Sequence, residues 1–245
     1  MNILIHELQP SGSITDEEAL KQFQHQWATY QKLVDSDALS HREVGEILHG
    51  VLGQRLGGGA RFLDIACGDA GQMARVLLDS PVGHYHGIDL SKPALQLAAK
   101  NLKGMPFEVE LDHGDFVEAI MKRDEPTDVS WCSLSIHHLQ RDEKLRLLRA
   151  IRGNTDSFLM IYEPTSLDGE GRDGFMERFC RINQKEWSML DPDECAQIEH
   201  HTTTCDFPES ASEWLNLGIE AGFASAKQLY ANPTDFFRLY RYDCK

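Results

Sequence analysis

Long apolar runs are absent from this 245-residue sequence, in which 41% of the residues are hydrophobic and 26% are charged. A transmembrane helix needs about 20 consecutive apolar residues, so we expect no membrane-spanning segment and no membrane partner. The N-terminal stretch MNILIHELQPSGS also lacks the basic start and the apolar stretch of a secretory signal. These absences favour a cytoplasmic protein built around one large domain.

Basic residues are scarce as well. The chain has 24 lysines and arginines against 39 acidic residues, which gives a formal net charge of −15. Binding to a phosphate backbone depends on Lys and Arg, so this balance argues against a nucleic-acid partner. We therefore expect a small-molecule substrate, and the sequence leaves a homodimer open.

Paired cysteines are also missing, because the six cysteines are scattered and no CxxC pair occurs. Free thiols in a reducing compartment are the simplest interpretation. The segment from Cys195 to Cys205 also contains His200 and His201, but its spacing matches no common zinc module. We expect no metal site from it.

Hydrophobic periodicity predicts two N-terminal helices and then an alternation of strands and helices. The helices are predicted at 15–34, 40–56, 71–79, 92–102, 116–122 and 141–152. The strands are predicted at 61–66, 84–88, 107–111, 127–133 and 157–162. This alternation indicates a parallel, doubly wound α/β sheet. Beyond residue 164 the pattern predicts helices at 174–190, 192–201 and 210–221 and a hairpin of strands at 225–230 and 236–242.

The stretch RFLDIACGDAGQMARVLL, residues 61–78, has the outline of a strand, a tight turn and a helix. Small residues in the turn let a ligand approach the backbone, and the helix N-terminus offers free N–H groups. Asp89 ends the next strand, 21 residues beyond Gly68. A carboxylate there can accept hydrogen bonds from the ribose hydroxyls of an adenosine. Dinucleotide enzymes and S-adenosylmethionine enzymes share these two features.

Two further strand ends separate these alternatives. Asp115 and Phe116 follow the third strand, where a carboxylate can accept from an adenine amino group and a ring can cover the base. Asp115 can equally cap the next helix, and Phe116 can be plain core. The stretch DVSWCSLSIHHL, residues 128–139, then supplies the fourth strand and its exit loop.

Together these motifs resemble the class I S-adenosylmethionine-dependent methyltransferases, over residues 60–164 and again in the C-terminal helix and hairpin. The resemblance implies a Rossmann-like, seven-stranded, mostly parallel sheet of order 3-2-1-4-5-7-6 with strand 7 antiparallel. It also implies an N-terminal helical lid at 1–57 and a methyltransferase domain at 58–245, with a helical cap inserted at about 165–205, after strand 5. The family motif D-x-G-x-G-x-G reads Asp64-Ile-Ala66-Cys-Gly68-Asp-Ala70-Gly71 here, so alanine replaces two glycines.

The resemblance implies a site for S-adenosylmethionine. Backbone carbonyls near Ser133 and Leu134 are expected to receive its ammonium group, and His138 is expected to lie beside it. The N-terminal helices are expected to close over the cofactor through Tyr30, His41 and Arg42. The remaining cofactor residues surround the methionine part (Asp64, Ala66, Gly68), the ribose (Asp89) and the adenine (Leu90, Asp115, Phe116).

His137 and Glu163 are the candidate catalytic residues, because they follow the fourth and fifth strands near the expected cofactor sulfur. His137 aligns with the general base in the LHDW phrase of plant phenolic O-methyltransferases, and Glu163 could orient an amine or hydroxyl. The alternatives are a histidine that only packs near the cofactor and a glutamate bonded to loop amides. In the cap, Arg178, Arg181 and Trp187 are candidates for substrate binding, with a solvated arginine face and plain packing as the simpler alternatives.

The predicted function is transfer of a methyl group from S-adenosylmethionine to an O or N atom of a small metabolite. Two alternatives stay open. One is an enzyme like carboxy-S-adenosylmethionine synthase, which alters the cofactor itself. The other is a non-catalytic protein that binds the cofactor for regulation.

Overall fold

A computed structural model describes residues 28–245 of the chain. Helix α1 covers residues 28–35, at the start of this part, and α2 spans His41–Arg55. Most of the predicted helix 15–34, and with it much of the predicted lid, lies outside the described residues. Within the described residues, no helix is long and apolar enough to cross a bilayer.

Seven strands follow α2 along the chain: β1 (Ala60–Ile65), β2 (Val82–Asp89), β3 (Glu108–His113), β4 (Thr127–Ser133), β5 (Thr155–Pro164), β6 (Ser225–Ala231) and β7 (Phe237–Asp243). They form one sheet of order β3-β2-β1-β4-β5-β7-β6. Neighbouring strands from β3 to β5 are parallel, and β7 pairs antiparallel with both β5 and β6. The predicted fold class and strand order are therefore confirmed.

The helices between the strands are α3 (Gly71–Val76), α4 (Lys92–Asn101), α5 (Phe116–Lys122), α6 (Arg141–Asn154), α7 (Arg172–Glu186), α8 (Pro192–Cys205) and α9 (Ala211–Glu220). A short 3₁₀ turn, Ile136–His138, follows β4. Side-chain caps start four of the helices, because an oxygen of Ser91, Asp115, Asp191 or Ser210 accepts a backbone N–H of the first turn. The predicted elements are thus present, with ends displaced by a few residues.

Strand β5 divides the core into two layers, because side chains alternate between the faces of a strand. Phe158, Met160 and Tyr162 lie in the layer that also contains residues of α2, α3 and α7. Leu159 and Ile161 lie in the opposite layer, with residues of α5, α6 and α9. All five are buried. This central position makes the carboxyl end of β5 a fixed point around which loops and cap are arranged.

The cap consists of α7 and α8 and is held to the sheet by aromatic packing. The ring centroid of Phe175 lies 4.9 Å from that of Phe236, and the centroid of Phe179 lies 5.7 Å from it. Trp187 meets Phe179 edge-on at 5.6 Å. The loop before β7 thus supplies a hydrophobic seat for the cap at the carboxyl edge of the sheet.

Helix α9 approaches β7 closely through Gly218. A Cβ atom at this position would lie only 2.3 Å from Cδ1 of Tyr242, which is closer than any carbon contact allows. The Tyr242 ring occupies that space, and its hydroxyl donates to the backbone oxygen of Trp214 at 3.0 Å. Glycine is therefore required where the last helix crosses the last strand.

Candidate functional site

The loop between β1 and α3 has a left-handed backbone at three alternate positions. The φ angles of Ala66, Gly68 and Ala70 are 58°, 57° and 51°. These are the three positions at which the motif has glycine, and two of them are alanine here. An L-residue in this conformation costs roughly 1 kcal/mol. Tertiary contacts must therefore impose the shape of the loop.

Asp89 provides such contacts. Its carboxylate accepts the Gly68 N–H at 2.8 Å and the Ser91 N–H at 2.8 Å, and the residue is fully buried. Beside it, the Cys67 N–H donates to the Ile88 carbonyl at 3.0 Å. This structural role of Asp89 depends on contacts between β2 and the loop and has no signal in the sequence. Carboxylate oxygens can accept more than one hydrogen bond, so ribose binding by Asp89 stays a prediction.

Asp64 lies at the start of the same loop and is 3% exposed. The Tyr85 hydroxyl donates to its carboxylate at 2.6 Å. Burial raises the pKa of Asp64 to about 7, although the Tyr85 hydrogen bond acts in the opposite direction. Tyr85 was not predicted as a site residue, since its contact with Asp64 depends on the register of β1 against β2. The register places Phe62 opposite Tyr85, so Asp64 is the diagonal neighbour on the same face.

The N-terminal helices reach the loop through Tyr30. Burial raises the pKa of its hydroxyl, and the nearby carboxylates of Asp69 and Asp64 raise it further. A cleft of about 840 Å³ lies here, lined by Tyr30, His41 and Asp69 among others. Arg42 also borders this cleft, but its side chain is 74% exposed and its guanidinium pairs with Asp37 at 3.3 Å. The structure therefore brings Tyr30, but not the Arg42 charge, to the predicted cofactor loop.

The predicted adenine residues border a second pocket, of about 520 Å³. The Asp115 carboxylate accepts the Glu118 N–H at 3.0 Å and so caps α5, which was the structural alternative for this residue. Phe116 is 6% exposed and belongs to the core as well as to the pocket wall. The Leu90 carbonyl accepts a hydrogen bond from the His113 ring at 2.9 Å, given the tautomer with a proton on Nε2. Asp115 and Phe116 thus combine structural roles with a position at a pocket.

Left-handed backbone recurs where β4 ends, because Leu134 has a φ angle of 52°. The Leu134 N–H donates to the Tyr162 carbonyl at 2.8 Å, which fixes this turn to β5. The Ser133 carbonyl accepts the Ser135 hydroxyl at 3.1 Å. A strained non-glycine residue at this edge is the kind of feature that accompanies binding sites. The role of Ser133 in holding the cofactor ammonium stays a prediction.

Glu163 binds the loop that follows β4. Its carboxylate accepts the backbone N–H groups of Ser135 at 3.2 Å and Ile136 at 3.0 Å. It also lies 2.5 Å from Nδ1 of His137, and both side chains are buried. Burial raises the pKa of Glu163 to about 7, and burial lowers that of His137. The structure thus favours the alternative in which Glu163 is bonded to loop amides and orients His137.

Asp206, which follows α8, faces His137 from the other side. One oxygen of its carboxylate lies 3.6 Å from Nε2 of His137, 3.1 Å from Nδ1 of His138 and 3.5 Å from Nε2 of His201. Burial acts to raise the pKa of Asp206, but the adjacent histidine rings and a hydrogen bond from His138 lower it below its ordinary value. Asp206 and His201 were missed in the sequence because about 65 residues separate them from the two adjacent histidines.

Arg178 of the cap is committed to structural contacts. Its guanidinium binds both carboxylate oxygens of Glu170, at 2.9 and 2.7 Å, and donates to the carbonyls of Thr165 at 2.8 Å and Asp235 at 3.1 Å. It also lies over the Phe236 ring at 4.9 Å. These donors already hold the cap to the sheet, which favours a structural role, and substrate binding by Arg178 stays a prediction.

Of the two other predicted substrate residues, one is on the surface and one is in the core. Arg181 is exposed on α7, one turn from the buried Arg178. Trp187 is 4% exposed and packs in the core against Phe179. The simpler alternatives, a solvated arginine and plain packing, match these positions.

A methyltransferase-domain family matches residues 62–155 of the chain. No curated protein compared with the sequence is significantly similar to it. Among solved structures, the chain resembles an O-methyltransferase family 2 protein from Planctomyces limnophilus, in complex with apigenin, with 17% identity and a TM-score of 0.58. The match covers 99% of this chain and 65% of that one.

Two further neighbours carry related chemistry. Magnesium protoporphyrin IX methyltransferase from Synechocystis, with bound S-adenosylhomocysteine, has 13% identity and a TM-score of 0.52, over 98% of this chain and 93% of that one. The cyclopropane synthase MmaA2 from Mycobacterium tuberculosis has 18% identity and a TM-score of 0.55, over 76% of this chain and 62% of that one. The chain thus spans less than two thirds of the Planctomyces and Mycobacterium proteins.

The carboxylates around the loop fit S-adenosylmethionine better than a phosphate ligand. The carboxylates of Asp64, Asp69 and Asp89 surround or flank Gly68, and a pyrophosphate would be repelled by them. A cationic methionine moiety and a ribose are instead attracted by acceptors. The matched domain and the strand order show that the chain contains a region similar to a methyltransferase domain, over residues 62–155, within a sheet of the predicted order.

Proposed function

We propose that the protein transfers a methyl group to an O or N atom of a small-molecule metabolite. The observation that carries this proposal is the pocket of about 520 Å³ that joins the predicted adenine residues Asp115 and Phe116 to His138. Such a pocket suits a small ligand rather than a macromolecule. The acidic charge of the chain supports the same substrate class.

S-adenosylmethionine, when bound, supplies a methyl group on a sulfonium, which is electrophilic without further activation. The chain would hold it with Asp64, Gly68 and the carbonyl of Ser133 at the methionine end. Asp89 would bind the ribose, and Asp115 with Phe116 would bind the adenine. The buried position of Asp64 supports this assignment, because an ammonium partner would stabilise its charged form.

Removal of the acceptor proton is assigned to the paired histidines, and the structure favours His138 over His137 for the contact. Nε2 of His138 is buried and has no hydrogen-bond partner among the described residues, and His138 borders the pocket. His137 has a carboxylate near each ring nitrogen. Glu163 and His137 therefore position the turn, and His138 is the residue that would take the proton.

The cap would exclude water from the site. Its aromatic contacts with Phe236 and the Arg178–Glu170 pair hold α7 against the carboxyl edge of the sheet. Excluding water strengthens hydrogen bonds and charge interactions within a site. The cap would thus align the acceptor with the methyl donor, which is most of what a displacement at a sulfonium requires.

The test is to incubate the purified protein with isotopically labelled S-adenosylmethionine and a metabolite extract, and to identify labelled products by mass spectrometry. A methylated metabolite is the expected result. A carboxylated cofactor would identify a carboxy-S-adenosylmethionine synthase, and binding of S-adenosylhomocysteine with no labelled product would identify a regulatory protein. Either of these two results overturns the proposal.

Matched variants then test the residue assignment. We expect His138→Asn to lower the rate of methyl transfer by about 100-fold or more while it retains affinity for S-adenosylhomocysteine. His84→Ala serves as the control, because His84 is 54% exposed at the other edge of the sheet. An unchanged rate in His138→Asn would remove His138 from the mechanism.

A further inference from the structure

Three imidazole rings converge on one buried carboxylate beneath the second pocket. Nitrogens of His138, His201 and His137 lie 3.1, 3.5 and 3.6 Å from the same Asp206 oxygen. The exposed fractions of the four side chains are small, between 2% and 14%. They are contributed by separate parts of the fold, namely the turn after β4, the end of α8 and the residue after α8.

Only the 3.1 Å contact from Nδ1 of His138 has the length of a hydrogen bond, and the Cys205 carbonyl lies 3.2 Å from the same nitrogen, so an ion bound to Nδ1 would replace the proton that these contacts share. The other two nitrogens, of His201 and His137, lie 3.5 and 3.6 Å from the Asp206 oxygen, beyond the usual length of a hydrogen bond. Ligands held about 2.1 Å from one transition-metal ion are separated from each other by roughly 3.0 to 3.4 Å. The distances of 3.1, 3.5 and 3.6 Å are close to this range. One ligand atom each from His137, His138 and Asp206 also fit within 4.8 Å of one another.

Glu163 orients the His137 ring in a way that would suit a metal ligand. The 2.5 Å contact between Glu163 and Nδ1 of His137 places a proton on that side of the ring. The Nε2 lone pair then points toward Asp206. Histidines that bind metals commonly have a carboxylate at the other ring nitrogen, which orients the ring and increases its basicity. The backbone N–H groups of Ser135 and Ile136 hold Glu163 in place.

The charge balance of the cluster also favours a cation. Two buried carboxylates, Asp206 and Glu163, are in contact with the rings. The ammonium group of Lys144 is buried nearby, but it is paired with Glu209 at 2.8 Å. Its charge is therefore offset locally. The pocket that His138 and His201 border gives an ion a route to the cluster.

We propose that His137, His138 and Asp206 form a binding site for one divalent transition-metal ion of the Zn²⁺, Fe²⁺ and Co²⁺ class, with His201 beside it. Imidazole nitrogens with a single carboxylate select these ions over Mg²⁺ and Ca²⁺, which prefer oxygen ligands. This set shares no residue with the cysteine-containing segment 195–205. The site does not require the proposed methyl transfer. An ion on Nδ1 of His138 would place the ring proton on Nε2, so the metal-loaded protein would not use that nitrogen as the base.

The chain offers an internal control. His86, Glu110 and Asp112 also bring potential ligands together, but the two carboxylates are 65% and 58% exposed on the sheet edge. Exposed acidic groups bind such ions weakly because water competes and the geometry is not held. A variant of His86 therefore removes a histidine from a comparable triad without touching the buried one.

The experiment uses the full chain, stripped with a chelator, dialysed, and titrated with Co²⁺ and Zn²⁺. We expect about one tightly held ion per chain, with visible d–d absorption from Co²⁺ that Zn²⁺ displaces. His138→Asn and Asp206→Asn should weaken binding at least 10-fold, whereas His86→Asn should not. Circular dichroism checks that each variant is folded, and the partly exposed His138 supplies the test if Asp206→Asn is unstable.

The proposal is overturned if the wild-type chain retains no ion, or if His138→Asn retains as much as the wild type. Loss of binding in His86→Asn alone would place the ion at the exposed triad and would also overturn it. None of these measurements uses S-adenosylmethionine. A negative result here therefore leaves the proposed methyl transfer standing, and a failure to detect methyl transfer leaves the metal site standing.

Discussion

The Tyr85 hydroxyl donates a 2.6 Å hydrogen bond to the Asp64 carboxylate, and both residues are almost completely buried. One neutral hydrogen bond does not replace the hydration that a carboxylate loses on burial. The pKa of Asp64 is accordingly raised to about 7. The first residue of the cofactor motif therefore titrates within the physiological range, with consequences for both binding and stability.

The affinity for S-adenosylhomocysteine should depend on pH through Asp64. Below the pKa of about 7 the side chain becomes neutral and loses its attraction for the ligand ammonium. We expect the affinity to fall by up to about tenfold per pH unit as the pH decreases from 7 to 5.5. Calorimetric titration across this range measures the effect. A flat profile, or the same slope in Asp64→Asn, would show that another group is responsible.

The stability of the ligand-free protein should increase at alkaline pH when Asp64 is replaced by Asn. The folded-state pKa of about 7 lies above the ordinary value of 3.8. The unfolded chain therefore releases its proton first, and stability is lost as the pH rises from about 4 to about 7. At pH 8 Asp64→Asn should gain roughly 2 to 4 kcal/mol, and at pH 4 little. Thermal melts at both values test this, and an equal effect at both would contradict it.

Replacement of Ala66 by glycine should increase the stability of the folded protein. The φ angle of Ala66 is 58°, a conformation that glycine adopts without steric cost. We expect Ala66→Gly to stabilise the protein by about 1 kcal/mol. Ala99→Gly, at an exposed position within α4, is the control and should destabilise by about 1 kcal/mol. Urea denaturation measures both, and a loss of stability in both variants would contradict the assigned strain.

Alanine variants of Arg178 and Arg181 should differ in unfolding free energy and not in their affinity for substrate. Arg178→Ala leaves the partly buried Glu170 without its partner and two backbone carbonyls without a donor, and it should cost about 2 kcal/mol of unfolding free energy. Arg181→Ala changes an exposed residue of the same helix and should stay within about 0.5 kcal/mol of the wild type. Chemical denaturation compares them. If Arg178→Ala were as stable as Arg181→Ala, Arg178 would have to be reconsidered as a substrate residue.

Gly218→Ala should destabilise the junction of α9 and β7. The added methyl group would lie 2.3 Å from the Tyr242 ring, so the ring or the helix must move, at a cost of about 2 kcal/mol or more. Gly153→Ala in α6 has no neighbour within 4 Å of the new atom and should instead stabilise the helix by up to about 1 kcal/mol. Melting temperatures of the pair give the comparison, in which opposite signs are expected.

The sheet could be predicted from the sequence because the pattern that specifies each strand and helix lies within that element. Each strand and helix has its own periodicity, and short connections limit how successive elements are arranged. The acids at strand ends, such as Asp89 and Asp115, could be found for the same reason. The contacts of Arg178 with Glu170 could not, because they depend on how the loop after β5 folds back. The approach of Asp206 and His201 to His137 likewise depends on the docking of α8, which no local pattern encodes.

The left-handed trio at Ala66, Gly68 and Ala70 has a consequence for where the cofactor loop gets its shape. Two of the three residues do not favour that backbone by themselves, whereas Asp89 holds the Gly68 amide from a neighbouring strand. The conformation is therefore encoded outside the loop. Residues 64–71 transplanted alone into another scaffold should relax, and a transfer that included the end of β2 should keep the turn. Searches that look for glycines would pass over loops of this kind, whereas searches for the anchoring acid would find them.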